Sequence, residues 1–421
     1  PVPGYRGRIT QFTFSPHTLP FRKPASPFSQ MHGVKGAYLK QLTAAQHMPS
    51  ARIGTTLEGT SPPSVFVGSW NYPKVFAGPM ICPSFGDTRV MDAPECWIPE
   101  GLSQEDIVRY RMNLVRGKHL MHVRELSSRF AEQLRDIALS SSSLESEAVF
   151  STAPKGGSAG EEHTPFGPSA CLDWFETGSA RWDNGLEKAY YDTDLPATDA
   201  ILHLHAGGCP FSTVQKALSA GALGRKKDRR LVPTRWAITA CDTALANSLL
   251  SRVRHCGIVD SYRVHEFSSL HNHYAVILMP VPWEFEWIEA FLHVSGTEEL
   301  VFSDHEGNKG KKAYSCVGGC YYSSKMAVLE SLCREGKQAG AIILREARKG
   351  YIPMGVFNVR ENVRHAMLQP PTVFEDLSSS LAHLSQRFHL PVSRFIREST
   401  LLALSLRQKQ TRLSDFSWNV H

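Results

Sequence analysis

Arg230-Leu-Val-Pro-Thr-Arg-Trp-Ala-Ile-Thr-Ala-Cys-Asp242 is the stretch on which the reading of this chain turns. It follows directly on the most basic run in the sequence, Gly224-Arg-Lys-Lys-Asp-Arg-Arg230. Residues 236–240 read as a strand and 243–256 as a helix ending at Gly257. Asp242, between the two, would cap that helix. The proline at 233 fixes φ just ahead of Arg235 and Trp236, a pair that is costly to bury without a partner. Read structurally, this is a strand edge whose guanidinium covers the indole face. Read functionally, it is a rigid cationic platform for a phosphate or a nucleobase.

Outward from this stretch, strands and helices alternate. Residues 65–68, 74–78, 274–280, 341–345 and 355–359 read as strands, and 283–292 and 324–335 as helices. Ser103-Gln-Glu-Asp106 has the form of a capping box and opens a helix, or a broken pair of helices, running to about residue 139. A helix also leads from Ser212 to the glycines at 221–224, and two more are expected near 374–388 and 391–407, the second with Pro391 in its first turn. The expected fold is α/β or α+β: a mixed sheet flanked by helices, a long extended N-terminal arm and a helical C-terminus. Segmentation by composition gives an arm over 1–60, with one short helix around 36–46, and a first part of the body over 61–150. A flexible Pro/Gly/Ser-rich loop over 151–168, a main body over 169–400 and a tail over 401–421 follow.

The 421 residues, 42% of them hydrophobic, suffice for one large or two ordinary cores. A net charge of +6 permits an acidic partner such as nucleic acid without requiring one, and the basic residues cluster at 6–8, 225–235, 309–312 and 394–412. No apolar run has the length of a bilayer span and no signal pattern is present, so a soluble, cytoplasmic protein without membrane contact is expected. Nine scattered cysteines fit a reducing compartment.

Other blocks carry a resemblance. Ser61-Pro-Pro-Ser-Val-Phe-Val-Gly-Ser-Trp-Asn-Tyr-Pro-Lys-Val-Phe-Ala-Gly-Pro79 is followed by Gly86-Asp-Thr and Asp92-Ala-Pro-Glu-Cys-Trp97. Then come Lys312-Ala-Tyr314, Gly319-Cys-Tyr-Tyr322, Val328-Leu-Glu330 and Pro353-Met-Gly-Val-Phe-Asn-Val-Arg-Glu-Asn-Val-Arg364. In this order and spacing they resemble the Nre family of archaeal DNA-repair proteins. The match runs from about residue 61 to the C-terminus, with a poor stretch around 140–205. The resemblance implies a role in DNA-damage repair and binding to a sliding clamp through a C-terminal peptide. The cysteine-rich zinc segment that such proteins often carry near the N-terminus is expected to be absent, since no cysteine precedes Cys82.

Several constellations can carry chemistry. Lys226, Arg229, Arg230 and Arg235 would position a phosphodiester backbone, or simply form a solvated face. Arg360, Glu361, Asn362 and Arg364, placed at the end of the expected strand 355–359, read equally as a site or as an ion-pair network. Arg360 and Arg364 would hold phosphate. In an enzymatic alternative Arg235 and Arg360 would hold the phosphate of the substrate, and Glu361 or Asp242 would act as base or metal ligand for metal-assisted phosphodiester hydrolysis. Such a metal site needs several carboxylates to converge, for which Asp87, Asp92, Asp242 and Glu361 are the candidates; a divalent metal therefore stays open as cofactor. His203/His205 and His271/His273 read as surface or core histidines rather than metal ligands. The Val317-Gly-Gly-Cys-Tyr-Tyr322 segment and the pair Trp70/Tyr72 could stack an unpaired base, or could belong to a bulged strand with core aromatics. At the tail, Gln410, Leu413 and Phe416 have the Gln-x-x-Leu-x-x-Phe spacing of clamp ligands. One tight turn would place Leu413 and Phe416 on one side to plug an apolar pocket. The expected partners are DNA and a sliding clamp, a PCNA-type ring or, in a bacterium, a β-clamp.

Overall fold

The computed structural model describes residues 35–39, 51–157, 164–294 and 296–414, with the backbone alone for 408–414. The expected arm over 1–60 lies outside the described residues except for 35–39, which are helical, and 51–60. Part of the 151–168 loop, residues 158–163, also lies outside them, as does Phe416.

Two six-stranded mixed sheets form the frame. The first is built from β1 (Thr56–Ser61), β2 (Val65–Val67), β3 (Lys74–Ile81), β4 (Val115–His122), β5 (Leu144–Phe150) and β6 (Ser169–Thr177), in the order β1-β5-β6-β4-β3-β2. Among the described residues its one parallel pair is β4 with β6. The helix Arg129–Leu139 buries Leu134, Ile137 and Ala138 against this sheet, together with Val75, Ile81 and Val115.

The remaining strands are β7 (Gly257–Ile258), β8 (Tyr262–Ser269), β9 (Asn272–Met279), β10 (Phe285–Leu292), β11 (Glu299–Glu306), β12 (Lys337–Gln338), β13 (Gly340–Ala347) and β14 (Thr372–Phe374). β7 and β12 make a two-residue parallel ribbon. The others form the second sheet, in the order β11-β10-β13-β9-β8-β14, where β10 and β13 run parallel. Every residue of β9, β10 and β13 is buried. Their side chains alternate between two cores. Tyr274, Val276, Trp287 and Ile343 face the helices Thr234–Val253, Gly319–Glu335 and Val356–Leu368, and Ala275, Ile277, Ile288 and Ile342 face the C-terminal helices.

The fold class is as the sequence implies, a mixed α/β body with a helical C-terminus, but several elements differ from expectation. Residues 236–240 are not a strand: they lie in a 20-residue helix, Thr234–Val253. Trp236, Ile238 and Thr239 suggested a strand locally, whereas the buried residues Ala237, Cys241, Leu245 and Ala246 recur with helical spacing. Asp242 therefore sits in mid-helix and caps nothing. Residues 355–359 likewise open the helix Val356–Leu368 behind Gly355, which takes a φ of 82°. Conversely, 283–292 contains β10. Its aromatics Phe285, Trp287 and Phe291 share one face, and buried glutamates at 286 and 289 disguise the alternation. The capping box at Ser103 and Asp106 is present in full, but its helix ends at Asn113 and β4 intervenes before Arg129–Leu139. The expected 374–388 helix shortens to Leu377–Leu384, and the last divides into Val392–Glu398 and Thr400–Ser414.

Candidate functional site

Three helices of the main core, Thr234–Val253, Gly319–Glu335 and Val356–Leu368, pack together around a line of charged side chains. Asp242 and Arg360 are both buried, and Arg360 donates from Nε to Oδ1 (2.9 Å) and from a terminal nitrogen to Oδ2 (2.7 Å). The guanidinium lies over the Phe211 ring, 3.7 Å from its centroid. Two-pronged pairing of this kind fixes both partners in orientation. One turn further along, Arg364 donates to both oxygens of Glu330 (2.7 and 2.8 Å) and to Glu361 (2.9 Å). His205 Nε2 stands 3.2 Å from Glu330. Asp242, Arg360 and Glu361 are interior, whereas Arg364, Glu330, His205 and Glu95 are half-buried and form the solvent side of the cluster.

The charges divide unequally. Burial pushes the Glu361 carboxyl up to about 7 against the opposing pull of Arg364 and Arg360, with Glu95 and Glu330 adding to the rise. Partial burial would raise Glu330 too, yet His205 and Arg364 hold it down at about 2. Burial raises Asp242 as well, and Arg360 opposes that rise. Glu361 is thus a carboxyl able to exchange a proton near neutral pH, beside a carboxylate that remains ionised.

A second buried centre sits under the first sheet. Asp92 accepts from Ser64 and Arg111, and Lys216 Nζ lies 3.1 Å from its Oδ2. Burial alone would raise Asp92, but Arg111, Lys216 and Ser64 together keep it below the usual carboxylate range. Glu95, three residues further on, accepts from the Ser212 backbone N–H and from its hydroxyl (3.0 Å). Asp87 belongs to neither centre, since it pairs with Arg89 at the surface. The four carboxylates considered for a metal site are therefore committed separately. Among the described residues no three His, Cys, Asp or Glu side chains are placed to hold a metal ion, so the residues do not fit one. His203 and His205 are on the helix Ala197–Ala206, where a two-residue spacing separates them around the axis. The described residues form no disulfide, and Cys82, Cys241 and Cys320 are buried.

Of the residues singled out by sequence, Asp242, Arg360, Glu361 and Arg364 come together, and Arg235 does not. It is exposed near the start of the helix that carries Asp242, about 10 Å away along the axis. Arg229 is half-buried and donates to the carbonyls of Gly224 (2.7 Å), Tyr190 (2.8 Å) and Asp192 (3.1 Å). It holds the loop, leaving Arg225, Lys226 and Lys227 exposed and Arg230 half-exposed. Glu95, Ser212 and Glu330 were not singled out, and His205 was read as a surface or core histidine rather than as a partner of Glu330. Glu95 and Glu330 stand inside the blocks quoted above, which was the available signal; nothing in the local sequence marks Ser212.

Models of the N-terminal and C-terminal regions of archaeal Nre match residues 35–296 and 306–416. The chain is 37% identical over 380 residues to DNA repair protein NreB of Archaeoglobus fulgidus, covering 88% of this chain and 95% of that protein. It is 30% identical to DNA repair protein NreA of the same organism, over 80% of this chain and 86% of the relative. To DNA repair protein NreA of Haloferax volcanii it is 32% identical, over 86% and 90% respectively. No solved structure gives a significant match.

Proposed function

The chain belongs to the archaeal Nre family, and from that premise we propose that it is a DNA-repair factor that binds DNA and is recruited by a sliding clamp. The observation that carries the DNA-binding reading is the exposure of Arg225, Lys226, Lys227 and Arg235 on a loop and helix start that Arg229 ties to the body. Cations held on a rigid element favour phosphate contact that fixes position without reading sequence. In this reading Lys226, Arg230 and Arg235 meet the backbone and Arg229 shapes their loop, while Arg360, buried on Asp242, and Arg364, held by Glu330 and Glu361, anchor the helices behind them. No described helix is long and apolar enough to cross a membrane.

Equilibrium binding to single-stranded, duplex and forked DNA over a salt series tests the proposal. Affinity should fall steeply with salt, and Lys226→Ala with Lys227→Ala and Arg235→Ala should weaken binding and flatten the slope by about one unit per lost phosphate contact. Salt-insensitive binding, unchanged in these variants, would remove the assignment.

The clamp-recruitment reading rests on Gln410, Leu413 and Phe416. It is favoured by the course of the last helix, in which Leu401 and Leu402 are buried and Leu404 is already 49% exposed before Gln410 is reached. Titration of a peptide spanning 405–420 onto the host's clamp is the test. Full-length protein with Leu413→Ala and Phe416→Ala should lose clamp binding.

A second, enzymatic reading has one specific observation behind it, the Glu361 carboxyl at about 7 beside Arg364. A carboxyl so placed suits proton transfer on a phosphate-containing substrate, with Asp242 orienting Arg360. Screening nucleic acids and nucleotides for turnover, with and without Mg²⁺, Mn²⁺ or Zn²⁺, decides it. Turnover that survives both Glu361→Gln and Asp242→Asn would end it.

A further inference from the structure

Two aromatic segments that are far apart in sequence meet at the surface. The hairpin between β2 and β3 turns through residues 68–73, and the helix Thr234–Val253 begins beside it. The Val67 N–H donates to Thr234 Oγ1 (2.9 Å), and the Tyr72 and Trp236 rings lie 5.1 Å apart at 50°. At the tip, Trp70 is 82% exposed and Tyr72 38%. The turn is held in shape: Gly68 N–H donates to Phe76 O (2.8 Å), and Lys74 N–H to Asn71 O (3.0 Å). Asn71 takes a φ of 65°, a left-handed conformation that asparagine adopts more readily than most residues.

Cations lie on the segments that carry these rings and on a turn bonded to them. Val123 N–H donates to Pro73 O (3.0 Å) and Leu231 N–H to Val123 O (2.8 Å), so the hairpin, the turn bearing Arg124 and the segment bearing Arg230 are tied together. Lys74, Arg124 and Arg235 are exposed there, with Glu125 as the acidic side chain on the same turn. A single exposed aromatic needs no explanation. A tryptophan on a fixed turn, continuous with a tyrosine and a second indole and bordered by arginine and lysine, has the composition of a stacking platform for single-stranded nucleic acid. The aromatic faces meet bases of any sequence, and the cations meet the intervening phosphates.

We propose that Trp70, Tyr72 and Trp236 form a shelf that stacks an unpaired nucleobase, with Lys74 and Arg235 on its flanking phosphates. The protein then prefers single-stranded or base-extruded DNA to fully paired duplex. The inference rests on the DNA-binding reading above and adds which structure of DNA is bound.

Fluorescence anisotropy with a labelled thymidylate strand and a labelled duplex of equal length tests it, using full-length protein. Trp70→Ala should weaken single-strand binding about 10-fold, about 1.4 kcal/mol, while duplex affinity moves less than about 2-fold. Its salt slope should match the wild type, because no cation is lost. Trp70→Phe, which keeps a ring, should recover most of the affinity. Lys226→Ala with Lys227→Ala should instead weaken both probes and flatten both slopes. If Trp70→Ala leaves single-strand affinity unchanged, or weakens both probes equally, the shelf is wrong while DNA binding stands. If the wild type binds neither probe at low salt, DNA binding fails and the shelf fails with it.

Discussion

Replacing Arg360 by methionine removes the cation facing Asp242 and keeps an unbranched side chain over Phe211. In the native chain both oxygens of this carboxylate are held by Arg360, and both side chains are excluded from solvent, at 4% and 0% exposure. Removing one partner from a buried pair leaves an uncompensated charge and costs about 3–5 kcal/mol, whereas an exposed pair would cost under about 1 kcal/mol. The pH dependence follows from the direction in which burial moves Asp242, which is upward from 3.8. Without the opposing guanidinium, the folded variant holds this carboxyl protonated over a wider range. A group raised in the folded state stabilises it below the unfolded value, and that contribution disappears as pH rises through the folded value. The deficit of Arg360→Met should therefore be smaller near pH 5 than near pH 8. Adding Asp242→Asn should recover much of it at the higher pH, since the charge is gone. Urea denaturation followed by tryptophan fluorescence at the two pH values measures all three variants. A deficit below about 1 kcal/mol, or one that does not change with pH, would refute a buried ionic pair here.

Glu361, at about 7 in the folded chain against an ordinary 4.5, contributes stability that is complete below about pH 4.5 and lost as pH rises through 7. The contribution is about 3 kcal/mol at most, and Glu361→Gln should abolish that part of the pH slope in the same denaturation series. The Glu286 carboxylate of β10 accepts from the Ser399 hydroxyl and from the backbone N–H groups of Thr400 (2.7 Å) and Leu401 (3.0 Å). Glu286→Ala should cost about 2 kcal/mol and speed amide hydrogen exchange at the start of the helix Thr400–Ser414, which mass spectrometry would detect. In β3, a Cβ on Gly78 would stand 1.6 Å from the carbonyl oxygen of Gly117. Gly78→Ala should therefore cost about 3 kcal/mol or more in a thermal-shift or urea assay, while Gly257→Ala, with nothing within 4 Å, should stay within about 0.5 kcal/mol.

The legible and illegible parts of this chain separate by how local their causes are. The Ser103 capping box, β9 and β13 follow from short-range pattern, and each is present. β10 was misread because Glu286 and Glu289 are buried for reasons supplied by distant partners. Glu286 caps a helix more than a hundred residues later, and Glu289 pairs with Arg345 (3.0 Å) and Lys35. The helices at 234 and 356 were misread for a related reason. Each opens with β-branched and aromatic residues whose strand preference is outweighed by packing against the helix Gly319–Glu335. The charged cluster shows the same division. Asp242, Arg360, Glu361 and Arg364 could be nominated from the sequence, but not their pairing, and Arg235, exposed about two helical turns from Asp242 along the axis, was grouped with them.

The order of strands in the second sheet has a consequence for synthesis. β9 and β10 follow one another in the chain with five residues between them, yet they are not neighbours, because β13 lies between the two. A growing chain emerging from the ribosome thus presents two strands whose residues are all buried in the folded protein and that must remain apart, and unpaired on their facing edges, while the helix Gly319–Glu335 is made. Premature pairing of β9 with β10 into a plain hairpin would close the slot that β13 needs. Long-range pairing of this kind is slow and leaves edges open to other chains. Heterologous production should therefore gain soluble yield from slower synthesis or lower temperature, and a chain ending before residue 340 should be captured by chaperones rather than accumulate as a folded fragment.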